Sequence, residues 1–379
     1  MPPSKKLSRL VGPAEKRRSV RQLVACQQPF GKKTSYPRFF GWPAFNMAKT
    51  DKRAHDSKHD AAVGASRIER VPRLGRYLLL VLGSLFLSST LLTISTPQTA
   101  GHLAGVSKHL EEWWEVGGLI AWRALELGLV WVFGFDGWDV TELTVLTHVP
   151  TYFLLLNFYE VKPSAVAITF LIDVVSKTIP FIALRGPNSV HKLSSPRAEE
   201  VSNIGILQDW FTTVYTSVAA AAIYTIFLYL SFYTWLPVHL VTYFDGVSDI
   251  RLVHAGPAGL PSVFLSLVLG GYAAYDLLFV SSAGCSAKDS SQKSEDREGE
   301  YLITSLCNRT WGRFSPKGKV LASRTIILAT MTLLNTVIQV SGTVRGVDVK
   351  GSAGWGALWA TAALVVGGTF AWIEAVPGV

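Results

Sequence analysis

Apolar residues along this chain gather in blocks about twenty positions long, not in the scattered alternation of a soluble core. The blocks predict eight membrane spans, near residues 77–95, 117–135, 141–160, 163–184, 210–235, 261–281, 325–342 and 353–373. Each approaches the ~20 residues that cross a bilayer at ~1.5 Å rise per residue. Pro97 follows the first, the turn Asp136–Asp139 ends the second, and Lys162 and Pro163 turn the chain into the fourth. The third is the weakest, with Glu142, His148 and Pro150 in its first half. Its alternative is a re-entrant or interfacial element. The fifth carries an alanine run (Ala219 to Ala222), and the eighth is lined with Gly354, Gly356, Ala360, Ala363, Gly367 and Gly368. Such small residues let helices approach closely.

The fourth span, residues 163–184, says most about the fold. Asp173 lies at its midpoint and Lys177 one turn later. Its Val, Ile, Leu and Phe side chains favour insertion by roughly 0.3–0.6 kcal/mol each, while a central Asp and Lys each oppose it by about 2.5–3.5 kcal/mol. The sums nearly cancel, so the helix is expected inside a bundle, with Asp173 and Lys177 paired at i and i+4, acid first. The second span repeats the motif with Arg123 and Glu126 at i and i+3, and the sixth carries Asp276 alone. The expected fold class is all-α: a polytopic integral membrane protein of about eight transmembrane helices with a disordered N-terminal tail.

Composition agrees. The 379 residues are 49% hydrophobic, with a mean hydropathy of +0.29. The net charge of +9 resembles a nucleic-acid signal, but residues 1–76 hold 18 of the 36 Lys and Arg against five acids. The remaining chain is slightly acidic, so no nucleic-acid partner is expected. Three readings compete for the tail: a transit peptide over the first fifty residues, a nuclear-localisation or anionic-lipid patch around Lys16, Arg17, Arg18 and Arg21, and a solvated cytosolic segment that enforces orientation. We take the last. Met47 also offers a second start, which would make residues 1–46 an extension.

Eight spans place both termini on one side. Apart from the tail, the loops on that side, 185–209 and 283–324 among them, hold 11 Lys and Arg against five on the other. Positive residues favour the cytosol, so both termini are expected there, and a six-span count without spans two and three leaves this intact. The sequon at Asn308 then faces the cytosol and stays bare. Cys26, Cys285 and Cys307 form no CxxC pattern and require neither a disulfide nor zinc.

The sequence holds no P-loop, HExxH, GxSxG, GxGxxG or EF-hand loop, and no cofactor or metal is assigned. Candidate chemistry lies in constellations. Arg123, Glu126, Asp173, Lys177 and Asp276 form an intramembrane polar network, read as either an ion or proton route or as charge-balanced pairs that lock helices. Asn335 and Gln339, at i and i+4, are expected to make helix–helix hydrogen bonds. His239, Asp245, Asp249 and His254 share a loop but match no compact metal motif. Glu142 and His148, at i and i+6, point to different faces. Three functions follow. The first is a non-enzymatic structural or accessory component of an internal membrane such as the endoplasmic reticulum, with the bilayer as partner and anionic lipid against the tail. The second is an ion- or proton-coupled transporter or channel, and the third an intramembrane lipid-modifying enzyme.

Overall fold

A computed structural model describes residues 72–191, 204–284 and 315–375 of the chain. The expected tail up to residue 71, Met47, the three cysteines, Asn308 and the low-complexity stretch around residue 295 lie outside the described residues. The described residues form helices joined by short turns, with two isolated antiparallel bridges, Ser107 to Val344 and Phe244 to Val347.

The principal helices are α1 (Arg73–Leu103), α2 (Trp113–Phe133), α3 (Gly137–Asn157) and α4 (Pro163–Leu184), then α5 (Trp210–Tyr233) and the short α6 (Leu236–Tyr243). They are followed by α7 (Leu260–Ala274), which runs on through a π-helical turn, Tyr275–Val280, and then by α8 (Pro316–Thr343) and α9 (Val349–Ala375). Local signals set several ends. Gly134 takes the left-handed conformation (φ 82°) that closes α2. Asp136 and Asp139 form a reciprocal capping box that starts α3. Asp209 caps α5 through the N–H groups of Phe211 and Thr212, and Ser315 caps α8 with Pro316 behind it. Several helices outrun the expected spans: α1 continues eight residues past 95 despite Pro97, and α8 begins at Pro316 instead of 325.

Among the described residues, seven helical segments are long and apolar enough to cross a membrane, and α3 is not among them. Asp139, Glu142, His148, Pro150 and four threonines dilute its apolar content. It nevertheless crosses the same bundle, antiparallel to α4: Thr141 meets Thr178 near one end and Tyr152 meets Asp173 further along. The fold is therefore an all-α polytopic membrane bundle, with α3 packed inside it beside the seven more apolar segments.

Position explains composition. Fifteen of the 21 residues of α3 are buried, against four of the 31 in α1. The outer helices show Leu78, Leu82, Phe86 and Ile94 of α1, and Leu171 and Ile179 of α4, on the surface that meets lipid. A helix enclosed by others can carry polar groups because its neighbours satisfy them. The centre of the bundle is therefore the third helix and not the fourth.

Close approach is decided at small residues. A Cβ on Gly271 of α7 would stand 2.4 Å from the Ser217 carbonyl oxygen on α5, beside Ala221 of the alanine run. Gly367 of α9 packs on Thr325 of α8, and Gly356 on Leu333 and Thr336, whereas Gly368 faces open space.

Candidate functional site

The bundle holds two polar clusters. The first lies at mid-depth between α1, α2, α3 and α4. Lys177 donates to Glu126 at 2.6 Å, and both side chains are almost fully enclosed. The same ammonium lies 3.3 Å from His148 Nε2. His148 Nδ1 is 3.0 Å from the Thr144 carbonyl oxygen, which can only accept, so Nδ1 carries the proton and Nε2 accepts from Lys177. Arg123 spreads its guanidinium over two neighbouring helices, donating to Ser84 and Ser88 of α1 at 3.1 Å each and to Ser176 of α4 at 2.5 Å. Asp173 accepts from the Tyr152 hydroxyl at 2.5 Å.

Four of the expected network residues therefore share this region, with changed partners. The expected Asp173–Lys177 pair is not formed, and neither is an Arg123–Glu126 pair. Each charge instead engages a neighbouring helix. An exposed i, i+4 pair contributes only a few tenths of a kcal/mol. Burial leaves no solvent to satisfy the remaining hydrogen-bonding positions, so partners on other helices win. Deeper in the bundle, Asn335 accepts from Trp122 Nε1 and donates to the Thr147 carbonyl, both at 3.0 Å. Gln339, by contrast, makes no side-chain hydrogen bond to another helix among the described residues. Its backbone carbonyl accepts from the Thr343 hydroxyl.

Asp276 stands apart from these four. It belongs to the second cluster, at the end of the bundle where α1 begins, which we call the near end. The π-helical turn carries Asp276, the start of α3 carries Asp136, Asp139 and Glu142, and the segment after α4 carries Asn188 and His191. Arg324 of α8 grips Asp139 at 2.5 and 3.1 Å and lies over the Phe135 ring. Asp136 accepts from the Asn188 amide at 2.8 Å and from His191 Nδ1 at 2.7 Å. Burial opposes ionisation of Asp136, but the His191 hydrogen bond and the backbone amides of Asp139 and Asn188 outweigh it and hold the carboxyl at about 2. Burial pushes the His191 imidazole down, and the Asp136 carboxylate, assisted by Asp139 and Asp276, pulls it above its ordinary value.

Asp136, Asp139 and His191 each present a ligand-type atom within 4.8 Å of the others. Spacing in sequence gave no hint of this, since His191 stands 52 positions after Asp139 and only the α3–α4 packing joins them. The loop residues His239, Asp245, Asp249 and His254 are not gathered. His239 bonds the Gly351 carbonyl at 3.0 Å, and Asp249 binds the Arg251 amide beside it. Glu142 and His148 both lie buried on α3 but in different clusters. A cleft lined in part by Leu146, Val149, Tyr224, Leu267 and Trp359 holds no charged side chain.

By fold and by interior, the chain is an all-α polytopic membrane protein whose mid-depth charges tie helix to helix. Residues 209–338, from the cap of α5 through most of α8, match the family described as Bouquet formation protein 3 C-terminal domain. The match covers about a third of the chain and includes Asp276, Arg324 and Asn335, but none of Arg123, Glu126, Asp173 and Lys177. No curated protein and no solved structure matches the chain.

Proposed function

We propose that this protein is a non-enzymatic structural component of an internal membrane, such as the endoplasmic reticulum or a membrane continuous with it, and that it acts in bouquet formation. Both chain ends face the cytosol in this reading, and the basic tail lies against anionic lipid. The observation that carries it is the closed pairing of the mid-depth charges. Lys177 is committed to Glu126, Arg123 to three serines and Asp173 to Tyr152, each across a helix boundary. A conducting route needs groups that exchange partners with water or ion, whereas these hold helices in register. The similarity of residues 209–338 to a family named for bouquet formation supplies the process.

Two measurements test the reading. Full-length protein in lipid vesicles under an imposed pH gradient is expected to pass no more protons than protein-free vesicles. A flux that Asp173→Asn abolishes at unchanged abundance would instead make the chain a transporter. Removal of the protein from its cell is expected to impair bouquet formation while membranes stay intact, and normal bouquets without it would end the proposed role.

A further inference from the structure

One histidine at the near end stands between carboxylates of two separate elements. Asp136, the cap of α3, accepts from His191 Nδ1 at 2.7 Å, and Asp276 Oδ2 of the π-helical turn lies 3.7 Å from Nε2. The second separation is that of an ion pair, too long for a hydrogen bond. Among the described residues Nε2 has no hydrogen-bond partner, although its side chain is only 9% exposed. Val190 beside it packs on Gly284, where the helical run that carries the π-helical turn closes: a Cβ there would stand 3.1 Å from both valine methyls. Asp276 itself projects from a distortion found mostly at functional positions.

The partners of the ring decide which proton it can lose. Asp136 is ionised and also takes the Asn188 amide at 2.8 Å. It can only accept, so it keeps a proton on Nδ1. The labile proton is therefore the one on Nε2. With that proton in place an imidazolium lies between two carboxylates and attracts Asp276. Without it a lone pair faces the Asp276 carboxylate, and attraction gives way to repulsion. Burial opposes the charged ring, but the bond to Asp136 and the charges of Asp136, Asp139 and Asp276 raise His191 above its ordinary value of about 6.5. Three other charged groups lie nearby among the described residues. Glu142 of α3 acts on the imidazole through space. Arg324 of α8 bonds Asp139 at 2.5 and 3.1 Å and the Leu277 carbonyl at 3.1 Å, so it anchors the same turn at every pH. Arg185 is bonded to the Trp131 carbonyl at 3.1 Å.

We propose that His191 is a pH-operated clasp, which as an imidazolium holds the π-helical turn against the start of α3. Loss of the Nε2 proton releases Asp276, while Arg324 keeps the helices together. The folded protein holds this proton more tightly than the unfolded chain does. The clasp therefore contributes fully below about pH 6.5, as long as Asp136 stays ionised, and is lost as pH rises through the folded midpoint. This inference stands independently of the proposed role in bouquet formation.

The test uses full-length protein in detergent with nitrogen-15 in its histidines, in a Glu142→Gln background that removes the other acid acting on the ring. The His191 resonances are assigned by their loss in His191→Gln. A midpoint above about 6.5 is expected, with the neutral ring protonated on Nδ1. Asp276→Asn should weaken proton binding at His191 at least ~3-fold. Thermal unfolding supplies a readout that needs no assignment: Asp276→Asn should lower the unfolding temperature near pH ~6 and not near pH ~9. Asparagine preserves side-chain volume, and the measurement at the higher pH shows that the variant folds. A His191 midpoint that Asp276→Asn leaves unchanged overturns the clasp, as does a neutral ring protonated on Nε2. Equal losses of unfolding temperature at the two pH values also overturn it, and Asp276 is then only a structural acid.

Discussion

The mid-depth cluster and the near-end cluster are built from similar residues and reach opposite balances. At mid-depth, Arg123 and Lys177 meet Glu126 and Asp173, two charges of each sign, and every one is hydrogen-bonded to a neighbouring helix. At the near end, Asp136, Asp139, Glu142 and Asp276 meet Arg324 and His191, and two acids lack a hydrogen-bonded cation among the described residues. Depth supplies the reason. An uncompensated charge among the helices at mid-depth has no solvent to appeal to, and its cost is several kcal/mol. At the near end Asp276 and Arg324 keep 17% and 13% of their side chains exposed, so an acid surplus can persist there. The inner cluster is thus a fastening, and the outer one holds more acid than its cations balance.

The sharpest way to break this contrast is Lys177→Met. It strands the Glu126 carboxylate in the interior and is expected to cost about 3–5 kcal/mol, read as loss of folded protein in detergent. The double variant Glu126→Gln with Lys177→Met should recover most of it. A single variant as stable as the parent would show that the pair is not a fastening. Arg324→Leu comes next. Two charge-assisted bonds to Asp139 disappear and the acid surplus grows, for an expected loss of about 2–3 kcal/mol in the same unfolding measurement. A gain in stability would contradict the surplus at the near end.

Gly271→Ala gives a reference that touches neither cluster. Its Cβ would meet the Ser217 carbonyl oxygen at 2.4 Å, and overpacking of this kind costs about 1–3 kcal/mol. An unchanged unfolding temperature would mean that α5 and α7 are not in this close contact. Asp136→Ala removes the cap of α3 and should cost roughly 0.5–2 kcal/mol. Asp136→Asn keeps most of the cap, so the difference between the two variants isolates the capping contribution. Gln339→Ala should be the mildest, within about 0.5 kcal/mol, since its side chain makes no hydrogen bond to another helix among the described residues. A larger loss would reveal a partner for it in the membrane.

Much of the architecture was legible. Length and apolar character locate the helices, as in residues 163–184, where the helix has the expected bounds. Asp173 and Lys177 rightly required surrounding helices, because that follows from insertion energetics alone. Asn335 was likewise readable as a helix–helix contact. Other features were hidden. The strongest polar signal in the sequence lay in residues 163–184, yet the enclosed helix is α3, whose polar residues looked like weakness in a span and prove to be a consequence of burial. The near-end cluster was also out of reach, since Asp136, Asp276 and His191 come from three separated stretches.

The amino-acid sequence alone determined that this chain forms apolar helices and that its fourth cannot face lipid on every side. Both are properties of single segments, set by transfer energies that add residue by residue. Tertiary structure decided which helix is enclosed, which partner each charge takes and where acids accumulate. These depend on distances between residues far apart in the chain, and a buried charge chooses among all the donors that packing brings within ~3 Å, not among its neighbours in sequence.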